Sequence, residues 1–211
     1  MSSDRRHRKG ELDTVSSLQG DPATRRRILD ASLKLVVKRG GADVKLSEIA
    51  RAARVSRQAI YLHFADRADL FTALVRHADE TRGLPAAIQR ITDAPSGIDA
   101  IREVVAFQAR LNPDLWPIAR AFDAVRRLDD AAERSWQERL EHRLQGCRAI
   151  VSRLAQERTL RPGLPPDAAA DLLWTLSSLR MWEDLVLQRG WTAMQYEERI
   201  GDLAVRALTE P

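Results

Sequence analysis

Residues 46–64 read LSEIARAARVSRQAIYLHF. Two short runs with apolar residues at helical spacing stand here, broken at Arg54-Val55-Ser56. Neither run is long enough to be stable as an isolated helix. As a pair they can bury one face each and present the other. The first run buries Ile49, Ala50 and Ala53, and the second Ala59, Ile60 and Phe64. Ser56 is placed as the cap of the second run, with Val55 and Ile60 in the positions of a hydrophobic staple. The spacing therefore predicts a helix-turn-helix whose second helix exposes Arg57, Gln58, Tyr61, Leu62 and His63. A helix of this size fits the major groove of B-DNA, about 12 Å wide. Its N-terminus, with Ser56 as cap, carries partial positive charge and suits a phosphate. Arg57, Tyr61 and His63 can donate to phosphates, and Gln58 can pair with a base edge, usually adenine.

Charge is distributed to match. The chain of 211 residues has a net charge of +4. Residues 1–64 carry 14 Lys and Arg against 7 Asp and Glu, whereas residues 65–211 carry 20 against 23. The basic excess lies with the paired helices, which points to a polyanionic partner at that end. A basic N-terminal stretch can also serve only for solubility. By composition, residues 1–20 read as a flexible basic arm.

Outward from this stretch, almost every segment reads as helix, and strand-like alternation is absent. Asp21-Pro22 gives a cap followed by proline at the first helical position. Ile28, Leu29, Leu33, Val36 and Val37 form an apolar stripe that Gly40-Gly41 ends. Asp66 caps a helix carrying Leu70, Phe71 and Leu74. A boundary follows near Thr81–Pro85. Ser96 and Asp99 resemble a capping box for a helix to about Leu111, and Asn112-Pro113 starts another. Residues 129–158 read as one long helix, and 161–166 as a loop. A helix over 167–189 stops at Gly190. Thr192 and Gln195 make a capping box for the last helix, with Trp191 and Tyr196 as its staple and Tyr196, Ile200, Leu203 and Ala207 as its stripe. The last two helices, 167–189 and 192–208, could bury their faces on each other or on a second copy as a four-helix bundle.

The stretch 28–75 resembles the DNA-binding domain of the tetracycline-repressor (TetR/AcrR) family of bacterial transcriptional regulators. The matching pieces are ILDASLKL, the glycine near 40, EIA, VS, IYLHF, and Asp66-Arg67 before Leu70. Further on, RGWTAMQYEERI between the last two helices is also family-like. The resemblance implies an all-α homodimer that binds a palindromic operator, mostly as a repressor, with a larger C-terminal domain for a small-molecule effector. By position it implies DNA contacts from Lys45, Ser56, Arg57, Gln58, Tyr61, His63 and Arg67. Three positions depart from the family. Lys45 stands where Thr often caps the helix, Arg54 where Gly usually makes the turn, and Gln58 where Gly is frequent.

The expected organisation is a basic arm (1–20), a helix-turn-helix DNA-binding domain (21–81) and a C-terminal dimerisation and effector domain (82–211). All five tryptophans, Trp116, Trp136, Trp174, Trp182 and Trp191, fall in the last part. They read mainly as core or interface anchors. Trp116, with Gln108, Asp123, Arg180 and Glu183 as polar residues among apolar ones, gives a candidate pocket for an apolar or aromatic effector, against a surface or salt-bridged role for each polar side chain. A helix-turn-helix protein regulated by a protein partner, without an effector, is the alternative.

Other chemistry finds no support. The four histidines, His7, His63, His77 and His142, show no metal-site spacing, and no phosphate loop or nucleophile elbow occurs. No enzyme activity, cofactor or metal is expected. Cys147 lies on an apolar stripe and reads as a buried structural thiol, a redox sensor being the sharper alternative. No apolar run approaches the ~20 residues that cross a membrane. The charged N-terminus has no apolar run after it and does not read as a secretory signal, so a cytoplasmic location is expected.

Overall fold

The computed structural model describes residues 21–41 and 44–209. The basic arm expected at 1–20 lies outside them. The described residues form helices joined by turns and loops, and the β-pairing among them is an isolated antiparallel bridge between Leu160 and Thr209. The helices are α1 (Pro22–Lys38), α2 (Leu46–Ala53), α3 (Arg57–His63), α4 (Arg67–Thr81), α5 (Leu84–Thr92), α6 (Gly97–Arg126), α7 (Asp130–Gln156), α8 (Pro166–Leu176), α9 (Leu179–Trp182) and α10 (Ala193–Leu208), with a π-helix at Glu183–Gln188 before α10. None of them is long and apolar enough to cross a membrane.

Contacts divide the chain into two compact units. One holds the chain up to Val75 together with Pro117–Ala132, and the other holds Arg76–Trp116 and Glu133 onwards. The division expected at residue 81/82 followed the chain. The packing instead adds the C-terminal part of α6 and the start of α7 to the first unit.

In the first unit α1 packs on α2 and α3. Asp21 caps α1, its carboxylate accepting from the Ala23 and Thr24 N–H groups at 3.1 and 3.0 Å. Ile28, Leu29, Leu33 and Val36 are buried on α1, and Ile49, Ala50, Ala53, Ile60 and Phe64 on the paired helices, while Ala59 is half-buried. Gly40 and Gly41 end α1 with φ of 59° and 75°. A Cβ at Gly41 would stand 2.4 Å from the Pro117 carbonyl oxygen, so glycine is what lets the end of α1 approach α6.

The second unit departs from the sequence reading in four places. Residues 84–92 form α5, where the sequence signals only a boundary near Thr81–Pro85. Its start follows Gly83 at φ 81°, and Pro85 occupies its first turn. Asn112-Pro113 starts no new helix, and α6 runs unbroken through it. Proline usually ends a helix because it lacks the N–H and crowds the preceding turn. Here Leu111 and Leu115 are buried on either side, in one cluster with Ala87 and Phe107, and that packing holds the helix together.

The single helix expected over 167–189 is divided after Leu176. Ser177 turns its hydroxyl back to donate to the Leu173 carbonyl at 2.7 Å, and Ser178 caps α9 by accepting from the Met181 N–H at 3.1 Å. Two hydroxyls that compete with helical backbone bonding explain the break. On α10 the buried positions are Tyr196, Ile200, Gly201, Ala204 and Leu208, all but Gly201 spaced by four. Leu203 is exposed and Ala207 only half-buried, so the expected stripe through them turns outward at its end. The capping box at Thr192 and Gln195 forms as read, and Trp191 and Tyr196 join one apolar cluster.

Candidate nucleic-acid interface

The turn between α2 and α3 fixes the interface. The Val55 N–H donates to the Ala50 carbonyl (3.0 Å) and the Arg54 N–H to the Arg51 carbonyl (3.2 Å). This pair of bonds is a Schellman closure, which needs its αL residue at position 54. Arg54 takes that conformation, φ 55° and ψ 46°. A non-glycine residue there costs roughly 1 kcal/mol. Ser56 then caps α3, its hydroxyl accepting from the Ala59 N–H at 3.0 Å. At the other end of α2, Lys45 makes no side-chain cap. An ammonium can only donate, and the Glu48 carboxylate instead accepts from the Lys45 N–H at 3.0 Å. The same carboxylate takes both terminal nitrogens of Arg39, at 2.9 and 2.6 Å. The Arg39 hydrogen bonds, and then the Lys45 N–H, hold it below the usual carboxylate range.

Of the residues expected at DNA, Lys45, Ser56, Arg57, Gln58 and Tyr61 are exposed. The Ser56 hydroxyl is engaged by its cap. His63 is half-buried, its ring 6.4 Å from that of Phe64. Arg67 is half-buried too and lies over the Phe71 ring at 5.4 Å. Ile60 and Phe64 anchor α3 inward, and the Arg25 guanidinium lies 4.9 Å over Phe64. The outward face is therefore Arg57, Gln58, Tyr61 and Leu62, and Leu62 is 74% exposed. A helix of seven residues is about 10 Å long, which suits a groove-reading element.

The effector candidates do not form one constellation. Asp123 belongs to the first unit, where Arg126 and Arg127 both pair with it. Arg180 is exposed and paired with Glu183 (3.6 Å) and Asp184 (3.1 Å). Gln108 is buried, and Trp116 is half-buried in a cluster with Trp182, Tyr196 and Ile200. Sequence reasoning missed Asn112 and the polar edge of Trp182. Asn112 is fully buried with both side-chain amide atoms unpartnered, and Trp182 Nε1 is also buried and unpartnered, among the described residues. A signal was present: Asn112 shares the buried face of Gln108, one turn away. Cys147 is buried, and burial pushes its thiol up to about 11 despite the nearby Arg143. No group of three His, Cys, Asp or Glu able to hold a metal occurs among the described residues.

The family described as "Bacterial regulatory proteins, tetR family" matches residues 28–74. The HTH-type transcriptional repressor LfrR of Mycolicibacterium smegmatis is 32% identical over 154 residues, covering 72% of this chain and 75% of its own. This chain belongs to the TetR family. A second member, the HTH-type transcriptional regulator AcrR of Shigella flexneri, is 49% identical over 51 residues, 24% of each chain. A transcriptional regulator from Saccharomonospora viridis, solved in complex with choline, has the same fold, with a TM-score of 0.73, 16% identity and coverage of 90% of this chain and all of that one. Like other TetR-family proteins, the chain is a helix-turn-helix, DNA-binding transcriptional regulator.

Proposed function

We propose that this TetR-family protein is a homodimeric repressor released from a palindromic operator by a small-molecule effector. The observation that carries the reading is the outward face of α3, with Gln58 and Tyr61 exposed between anchors at Ile60 and Phe64. Gln58 would read a base edge, and Arg57 and Lys45 would hold phosphates. Two copies of α3 would enter successive major grooves about 34 Å apart.

Dimerisation is assigned to the last helices. Leu172 on α8, Leu187 on the π-helix, and Met194 and Leu203 on α10 are large apolar side chains left exposed in one chain. A second copy would cover them. The effector site is assigned to the second unit, around Gln108, Asn112, Trp116 and Trp182, because this unit holds the Trp116 and Trp182 cluster and two buried polar groups without partners, the Asn112 amide and Trp182 Nε1. The choline-bound relative in fold supports a small-molecule site in such a bundle. Release follows if the effector binds more tightly to a head spacing that DNA does not accept, since the difference in affinity sets the coupling.

The test is selection of genomic fragments by the purified protein at near-physiological salt, with a Gln58→Ala/Tyr61→Ala variant beside it. A discrete palindromic site, lost in the variant, is the expected outcome. Equal, salt-sensitive retention of all fragments by both proteins would refute the assignment of α3.

A further inference from the structure

Arg51, Arg54 and Arg57 follow one another at intervals of three through the end of α2, the turn and the start of α3. All three are exposed, and none has a side-chain hydrogen bond or ion pair among the described residues. The acid that acts on Arg51 is Glu48, whose carboxylate is committed to Arg39 and the Lys45 N–H. Elsewhere among the described residues several arginines are neutralised. Arg82, Arg102, Arg139, Arg153 and Arg180, for example, each have a carboxylate partner. Three guanidinium groups without an ion pair around one turn are a concentration of positive charge.

The middle one is also held at a cost. The Schellman closure requires the left-handed conformation at position 54, which glycine adopts freely. A strained backbone conformation filled by a long cation is the kind of local compromise found at binding sites. As the cap of α2, Arg54 gains something from the helix dipole, but a screened surface charge gains only a fraction of the backbone cost.

We propose that Arg51, Arg54 and Arg57 form a clamp on the DNA phosphate backbone that is independent of base sequence, and that Arg54 is kept in its strained turn for that contact. The clamp rests on the reading of α3 as the groove-reading helix, since the turn delivers Arg54 beside the start of that helix. Its ligand is the phosphodiester chain, while Gln58 and Tyr61 supply sequence preference. Each phosphate contact contributes about 0.9 to the slope of log K against log salt, so one lost contact weakens binding roughly tenfold near 0.1 M salt.

Three variants of the whole protein separate charge from strain. Arg54→Gly removes both, Arg54→Ala removes the charge and keeps the strain, and Arg54→Lys keeps both. Affinity for an operator-free duplex is measured between about 50 and 200 mM salt, and Tm by circular dichroism. In the expected result the Gly and Ala variants lose about one from the slope per bound subunit and the Lys variant does not. The Gly variant alone gains Tm, by about 2 °C.

An unchanged slope in the Gly and Ala variants overturns the clamp, and an unchanged or lower Tm in the Gly variant overturns the strain. Failure of the underlying reading shows separately. If Gln58→Ala/Tyr61→Ala binds the selected genomic site as the native protein does, α3 is not the reading helix, whatever Arg54 does.

Discussion

Gly40 and Gly41 sit side by side at the end of α1, both left-handed, yet the structure assigns them very different tolerances. At Gly40 an added Cβ meets nothing within 4 Å. Gly40→Ala should therefore cost only the left-handed penalty, roughly 1 kcal/mol. At Gly41 the same carbon would lie 2.4 Å from the Pro117 carbonyl oxygen, 3.0 Å from Arg120 Cβ and 3.2 Å from the Pro117 carbonyl carbon. The obstacle is mainly the backbone of α6, which cannot rotate aside as a side chain would. An overpacking cost of about 1–3 kcal/mol adds to the conformational one, for a total of about 2–4 kcal/mol. In a chain of this size 1 kcal/mol moves Tm by about 2–4 °C. Thermal melts followed at 222 nm should show Gly40→Ala a few degrees below the native protein and Gly41→Ala about 10 °C below. If the two variants melt within about 2 °C of each other, the close approach of α1 to Pro117 does not govern this corner and the reasoning fails.

Two further outcomes follow from buried groups. Asn112→Leu should stabilise ligand-free protein by about 1–3 kcal/mol in urea unfolding, because the amide it removes has lost water without gaining a partner; destabilisation would show that the amide is satisfied. The Cys147 thiol, pushed up to about 11 by burial, is almost wholly protonated at pH 8 and should react with iodoacetamide far more slowly in native than in urea-unfolded protein, with the native rate still rising as pH climbs toward 10. Equal rates in the two states would contradict its burial.

The head was legible because its signals are local. Asp21 before Pro22, Ser56 before the apolar pair Ile60 and Phe64, and Asp66 before Leu70 each act within one or two turns. The structure accordingly shows all three as caps, Asp66 accepting from the Asp69 N–H at 2.8 Å. The second unit was less legible because tertiary packing overrode local rules. Pro113 signals a break, but burial of Leu111 and Leu115 outweighs it. Ser177 and Ser178 carried a break signal hidden inside a long apolar pattern. Leu203 fits a heptad on paper, but a helix with four-residue spacing from Tyr196 reaches Ala204 instead. The polar effector candidates are dispersed for a related reason. Arg180 and Glu183 stand one turn apart and satisfy each other, which no single-residue reading anticipates.

The first unit is assembled from two stretches separated by 41 residues, since it takes Pro117–Ala132 as well as the chain up to Val75. It is therefore not a detachable cassette. A fragment ending near residue 81 would strip away the surface against which Gly41 was selected to fit, and should express as a poorly soluble product. Grafting this head onto another regulator would have to carry the second stretch along, or redesign the receiving helix to match it. Recombination between relatives is then expected to preserve positions 41 and 117 as a linked pair, even though nothing in the linear order of the chain connects them.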